Sequence, residues 1–263
     1  MRLNNVKRSL QDGKVQVGTW IHTFGSYQLP QVLATAGFDY VHIDMEHSAF
    51  SLQTVAELCQ AAQSAGLVPF VRPAGRDHHL VSRPLDNGAM GILMAHVDDR
   101  GEAEAAVRAV KFPPVGDRGS QPPSFHTSFA RVNPKEYMAQ ANDETLLLVQ
   151  IESLTAIGNL DEILSTPGVD GATLGRGDLA AELGVANRDH PDVLAAVEEM
   201  IASCRRNDKI PGLLVQEVEE ARDWIAKGVR LVTYASEVLM LRNAADAAVK
   251  TIKAAAREVT TVS

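Results

Sequence analysis

A chain of 263 residues with 33 acidic and 25 basic side chains has a formal charge of −8, and 45% of it is hydrophobic against 22% charged. That balance is ordinary for a soluble globular protein and excludes a disordered tail, a collagenous repeat or a disulfide scaffold. Without a basic block to displace counterions from phosphates, nucleic acid is a poor partner.

The opening segment, MRLNNVKRSLQDGK, is too polar to supply the apolar core of a signal peptide. Short apolar runs then alternate with longer amphipathic stretches. In chain order they predict strands at Val15–Ile21 and Tyr40–Met45, a helix at Leu52–Ala65, and strands at Val68–Arg72 and Gly91–Ala95. A helix at Glu102–Val110, a strand at Thr145–Ile151, a helix at Ala156–Leu164 and a strand at Gly171–Leu174 follow. The pattern closes with a helix at Val193–Asn207, a strand at Pro211–Val215, a helix at Val218–Lys227, a strand at Arg230–Tyr234 and a helix at Val238–Arg257. The strands are brief and rich in Val, Ile, Leu or Thr, as strands buried on both faces should be. Gly66, Gly168 and Gly228 sit where helices end ahead of strands.

Eight β-then-α units in about 250 residues point to an α/β fold, a (β/α)8 TIM barrel spanning residues 1–263 as one domain. An open doubly wound sheet would show a Gly-rich turn after its first strand, and Thr-Trp-Ile-His-Thr-Phe-Gly-Ser stands there instead. The segment Phe112–Pro134, with five prolines and no steady period, breaks the rhythm. A loop this long is either functional or a surface excursion or subunit contact. Cys59 and Cys204 both fall in helical patterns, and so large a core needs no disulfide staple, so a reducing, cytoplasmic location is expected. No run of about 18 apolar residues predicts a membrane span.

In such a barrel chemistry gathers where strands end. The second strand ends Ile43-Asp44-Met45-Glu46-His47, the third at Arg72, the fifth at Gln150-Ile151-Glu152-Ser153, and the sixth runs into Gly175-Arg176-Gly177-Asp178. Each group alone has a plain structural role: Asp178 could cap a helix, Arg72 could pair with a neighbouring carboxylate, His47 could be a satisfied histidine. Four strands delivering charge to one rim favour a site. Glu152 and Asp178, with no cysteine near, suit a hard cation such as Mg2+ or Mn2+ and leave positions for water and a chelating substrate. A guanidinium opposite would stabilise a developing oxyanion, and an imidazole beside a carboxylate is a general-base candidate. Together they describe enolate chemistry on an oxo acid.

The stretches AGFDYVHIDMEHSAF, PFVRP, LDNGAMGIL, FPPVGDRGS, LLLVQIES and GVDGATLGRGDLAAELG, in this order, resemble the HpcH/HpaI aldolase family. The resemblance runs from about Gly18 to beyond Val215. It implies a barrel of the phosphoenolpyruvate/pyruvate type, with the last helix exchanged between subunits in a homo-hexamer built as a trimer of dimers. It also implies a metal-dependent (class II) aldolase that cleaves a 4-hydroxy-2-oxo acid to pyruvate and an aldehyde, in the catabolism of aromatic or sugar acids.

Carried over by motif, Glu152 and Asp178 would hold the divalent metal (Mg2+ or Mn2+, with Co2+ an option), and Arg72 the C2 oxygen of pyruvate. His47 would be the acid/base group, oriented by Asp86 with Asp44 nearby. Gln150 and the Gly177 and Asp178 amides would seat the carboxylate.

The family's Gly-Pro-X-Asp-Leu turn is altered here by Arg176 and Gly177, which puts a positive charge toward an acidic substrate group or toward solvent. The loop Ser-Gln-Pro-Pro-Ser-Phe-His after Arg118-Gly119 also departs from relatives, and both changes are expected around the aldehyde. A β-hydroxyacyl-CoA ester lyase of the same fold would need a basic cluster for the CoA diphosphate, and none is evident. A non-catalytic oxo-acid-binding barrel would most naturally lack a ligand or the base, and all are present.

Overall fold

The computed structural model describes residues 1–122 and 124–261, with side chains through 257. The chain opens with helix α1 (Asn5–Gln11), followed by strand β1 (Gln16–Ile21), α2 (Leu29–Thr35), β2 (Tyr40–Asp44), α3 (Leu52–Ser64), β3 (Val68–Arg72), α4 (His78–Asp86) and β4 (Gly91–Met94). Then come α5 (Arg100–Val110), a 3-10 turn (Phe125–Thr127), α6 (Pro134–Glu144), β5 (Leu146–Ile151), α7 (Leu154–Gly158), α8 (Leu160–Leu164) and β6 (Gly171–Leu174). The remainder is α9 (Arg176–Glu182), α10 (Pro191–Arg206), β7 (Ile210–Val215), α11 (Val218–Lys227), β8 (Leu231–Ser236) and α12 (Glu237–Thr261). The eight strands are all parallel and close in sequence order, β8 pairing back onto β1.

Strand alternation sorts the side chains into two cores. Val41, Ile43, Val71, Leu147, Val149, Ile151, Ala172 and Val232 face outward and pack under the helices. Tyr40, Val68, Phe70, Leu93, Leu146, Leu148 and Leu231 fill the lumen, and Val6 and Leu10 of α1 plug its N-terminal end. Continuing by twos, the inward ladder of β2 runs Tyr40, His42, Asp44, and that of β5 runs Leu146, Leu148, Gln150. The lumen is therefore apolar at its base and polar at its C-terminal mouth. Gly18 is required at the first layer, since a Cβ there would lie 2.4 Å from the Tyr40 ring.

All eight expected strands are present, with ends displaced by a residue or so. The sequence pattern overlooked α1, α2, α4, α6 and α9, which are short, polar or, in α4, interrupted by Pro84. The single helix expected over Ala156–Leu164 is two, separated at Asn159, whose φ of −106° and ψ of 12° leave the helical region. In the Phe112–Pro134 segment, residue 123 lies outside the described residues. Arg118 of that segment is buried, stacked 4.4 Å over the Phe112 ring and paired with Asp86 at 2.7 Å.

At the barrel base a cavity of about 450 Å³ is lined by Lys7, Arg8, Lys111, Glu144 and Asp170. These groups satisfy one another: Lys7 Nζ lies 2.9 Å from Asp170, and Lys111 Nζ donates to the Asn142 and Thr145 carbonyls. No helix among the described residues is long and apolar enough to cross a membrane.

Two buried histidines give the fold an acid limit. Burial lowers His126 to about 4 and, with the Arg72 charge beside it, His42 to about 3. Unfolded, each would titrate near 6.5, so between those values the unfolded chain binds more protons and stability is lost as the pH is lowered. The thermal midpoint is expected to drop steadily from pH 6.5 to 4, and His126→Gln should flatten that slope. A midpoint flat to pH 4 in the unsubstituted protein would contradict this.

Candidate active site

The C-terminal mouth of the barrel holds a cavity of about 520 Å³. Trp20, His42, Gln150, Thr173 and Thr233 form its floor and walls, and His22, His47, Arg176, Asp178, Arg188, Gln216 and Leu239 are also among its lining. Trp20, His42, Asp44, Arg72, Gln150, Thr173 and Thr233 reach the cavity from their strands, so the lumen that is apolar at its base is lined by polar groups here.

Asp44 and Arg72 are register partners on β2 and β3. Their side chains meet as a two-pronged pair, with Arg72 Nε and Nη2 each donating at 2.8 Å. Arg72 Nη1 lies 3.0 Å from Glu46, and the guanidinium stacks 4.6 Å over the Trp20 ring. Burial alone would raise the Asp44 carboxyl, but the Arg72 hydrogen bonds and charge outweigh it and hold the group below its ordinary value. Asp44 also accepts the Glu46 backbone N–H at 3.0 Å and that of His47 at 3.4 Å, which shapes the turn after β2. Arg72 is thus fixed in orientation, as an oxyanion donor must be.

Glu152 lies one residue past β5 and is buried. One oxygen accepts the His96 backbone N–H at 2.7 Å and faces His96 Nδ1 at 2.8 Å; the other accepts from Gln150. Gly175 makes room for it: a Cβ there would stand 2.9 Å from Glu152 Oε2. Three residues on, Asp178 is exposed in the first turn of α9. Carboxylate oxygens are the donor type a hard divalent cation takes, and Glu152 and Asp178 would supply two such groups. Among the described residues, no group of three or more His, Cys, Asp or Glu side chains forms a metal cluster.

His47 is 70% exposed in its side chain, with Nε2 3.7 Å from Glu46, and it lines the cavity. The structure does not join it to Asp86. Asp86 ends α4, and a helix following a parallel strand runs back to the N-terminal face; within one chain Asp86 is at the opposite end from His47, held by Arg118. The loop after Gly119 is displaced for the same reason, since it lies on a helix-to-strand connection, where His126 donates to the Leu85 carbonyl. Arg176 lines the cavity but is not turned to solvent. It is 4% exposed, with contacts to Glu220 at 2.5 Å, Asp189 at 3.3 Å and the Leu214 carbonyl at 2.7 Å.

Three groups went unassigned in the sequence. Glu46 stands in the tetrapeptide after Ile43, yet only the fold shows it bridging Arg72, His47 and His96. His96 follows β4 with φ of 56° and links Glu46 at 3.0 Å to Glu152 at 2.8 Å. Glu237, at the start of α12, accepts the backbone N–H groups of His22, Thr23 and Phe24 at 3.0, 2.6 and 3.0 Å on one oxygen. It ties the β1 loop to the cavity edge from 213 to 215 residues away in the chain.

Residues 16–244 match the model of the HpcH/HpaI aldolase/citrate lyase family. The chain belongs to that family. An HpcH/HpaI relative, the 4-hydroxy-2-oxo-heptane-1,7-dioate aldolase of Escherichia coli, is 37% identical over 245 residues, 93% of each chain. The pyruvate aldolase of Rhizobium etli is 37% identical over 246 residues, covering 93% of this chain and 96% of its own. Among solved structures, the HpcH/HpaI aldolase from Desulfitobacterium hafniense DCB-2 superposes with a TM-score of 0.90 at 31% identity, over 94% of this chain and 96% of that one. Four of the quoted stretches map onto β2, β3, β5 and β6 and the turns at their C-terminal ends, whereas LDNGAMGIL spans the α4–β4 connection and FPPVGDRGS follows α5.

Proposed function

We propose that this protein is a class II pyruvate aldolase, a carbon–carbon lyase that reversibly cleaves a 4-hydroxy-2-oxo acid to pyruvate and an aldehyde. The observation that supports it most is Arg72, clamped by Asp44 and Glu46 among the residues that line the cavity at the barrel mouth. Glu152 and Asp178 would hold the divalent cation, Mg2+ or Mn2+ with Co2+ as an alternative. When bound, the cation supplies positive charge that stabilises an enolate formed from the oxo acid.

The protein's own groups account for the remaining steps. Gln150 and the Gly177 and Asp178 amides orient the carboxylate end of the substrate. Arg72 donates hydrogen bonds to the C2 oxygen, which gains charge as the C3–C4 bond breaks. His47 accepts the C4 hydroxyl proton, the bonding pair passes toward C2, and the aldehyde departs. Return of a proton to C3 then releases pyruvate. No lysine is among the residues lining the cavity, so the lining offers no amine for a Schiff base.

α12 leaves the barrel with Leu241, Val249 and Ile252 exposed. We propose that a partner subunit covers this face through exchange of the helix, within a hexamer arranged as a trimer of dimers. Both cysteines are free and buried, in keeping with a reducing cytoplasm.

Pyruvate in deuterated buffer tests this reading. The methyl proton signal is expected to fade with Mg2+ or Mn2+ present and to persist with excess chelator. Metal-loaded, folded protein that leaves the methyl signal intact would remove pyruvate as the nucleophile.

A further inference from the structure

Four adjacent strands, β2 to β5, contribute one continuous chain of polar contacts: Arg72, Glu46, His96, Glu152 and Gln150. His96 is its centre. Its Nε2 lies 3.0 Å from Glu46 Oε1, and its Nδ1 lies 2.8 Å from Glu152 Oε1. The His96 backbone N–H donates to that same Glu152 oxygen at 2.7 Å. Each carboxylate meets a cavity-lining residue with its other oxygen. Glu46 Oε2 is 3.0 Å from Arg72 Nη1, and Glu152 Oε2 accepts from Gln150.

The backbone at His96 has a φ of 56°, the left-handed region that a residue with a Cβ rarely occupies. Arg76 Nη1 holds the turn by donating to the His96 carbonyl at 2.6 Å. This conformation brings the main-chain N–H and the ring to one carboxylate oxygen. A glycine would satisfy the backbone alone, so what the imidazole touches is the reason for a strained side chain here. His96 is not among the residues lining the cavity, so it acts through its partners rather than on the substrate.

We infer that His96 is a positioning residue that sets Glu152 and Arg72 together, one ring nitrogen serving each carboxylate. Nδ1 orients Glu152, the buried carboxylate offered to the cation. Nε2 orients Glu46 and, through it, the guanidinium that meets the C2 oxygen. This rests on the aldolase reading above. Outer contacts of this kind change metal affinity or activity by about 10- to 100-fold.

The test uses three variants of the full chain. His96→Gly keeps the left-handed backbone and its N–H but removes the ring. His96→Asn places an amide donor where Nδ1 stands, and His96→Gln places one where Nε2 stands. Mn2+ affinity is read by electron paramagnetic resonance, pyruvate methyl exchange is measured at saturating Mn2+, and the thermal midpoint reports folding. His96→Gly is expected to weaken Mn2+ binding about 10- to 100-fold and to slow saturated exchange about 10-fold. His96→Asn should recover Mn2+ affinity while exchange stays slow, and His96→Gln should do the reverse.

Unchanged affinity and exchange in folded His96→Gly would overturn the inference, as would equal losses of both in His96→Asn and His96→Gln. Nitrogen coupling from a directly bound imidazole in the Mn2+ spectrum, lost in His96→Gly, would overturn it by making His96 a ligand. In each case metal-dependent exchange by the unsubstituted protein leaves the aldolase reading standing. Unsubstituted protein that neither binds Mn2+ nor exchanges the methyl protons overturns that reading and this inference with it.

Discussion

Glu152→Gln is expected to lower metal-dependent pyruvate exchange by about 10³-fold or more, the scale of losing a cation's charge stabilisation. The amide keeps the side chain's shape against Gly175, so the barrel should fold and the loss should be chemical. Removing the negative charge changes both partners of the carboxylate. The His96 N–H groups lose a charged acceptor, and a bound cation loses the ligand that is buried and held in place. A Mn2+ titration followed by electron paramagnetic resonance provides a readout independent of turnover, and weakened Mn2+ binding should accompany the rate loss. Undiminished exchange together with unchanged Mn2+ affinity would remove Glu152 from the metal assignment. Asp178→Ala should show the same two losses, with less effect on stability because Asp178 is exposed.

Arg72→Ala should cost about 10²–10³ in exchange rate, as loss of an oriented oxyanion donor does. It should also lower stability, because Asp44 would remain buried at the end of β2 without its bidentate partner. Breaking such a buried pair costs about 3–5 kcal/mol. Arg72→Lys separates the two effects. An ammonium can still neutralise Asp44, but it cannot contact Asp44 through two donors, reach Glu46 through a third and stack on Trp20 at once. Arg72→Lys is therefore expected to keep most of the thermal midpoint while losing most of the rate. Wild-type exchange in Arg72→Lys would show that positive charge alone suffices and that the fixed fork is irrelevant.

The positions of several candidate residues followed from strand order alone. Asp44, Arg72, Gln150 and Glu152 stand at or just past the ends of buried strands, and parallel barrels bring strand ends to one rim. The period-2 alternation then puts Asp44, Arg72 and Gln150 on the lumen side. Other roles depend on contacts between distant segments. His96 bridges Glu46 and Glu152, 50 and 56 residues away, and Glu237 anchors a loop more than 200 residues earlier. Neither histidine nor glutamate had a local pattern to distinguish it from an ordinary surface group.

The surroundings of Asp86 and Arg176 depend on the direction of their elements. A motif records which residue occurs, whereas the direction of its element decides where the side chain goes. α4 returns Asp86 to the barrel base. The turn into α9 directs Arg176 into the wall between β6 and β7, where a guanidinium can remain buried because Glu220, Asp189 and the Leu214 carbonyl meet its donors.

By itself the sequence determined the parallel barrel, its strand order, the polar mouth and the family. Each of these depends on local periodicity or on ordered motifs. Only the tertiary structure decided which charges pair and which end of the barrel each loop reaches. Those outcomes depend on closure of the sheet, which brings together groups up to 215 residues apart at distances of about 3 Å, where burial makes a missing partner costly.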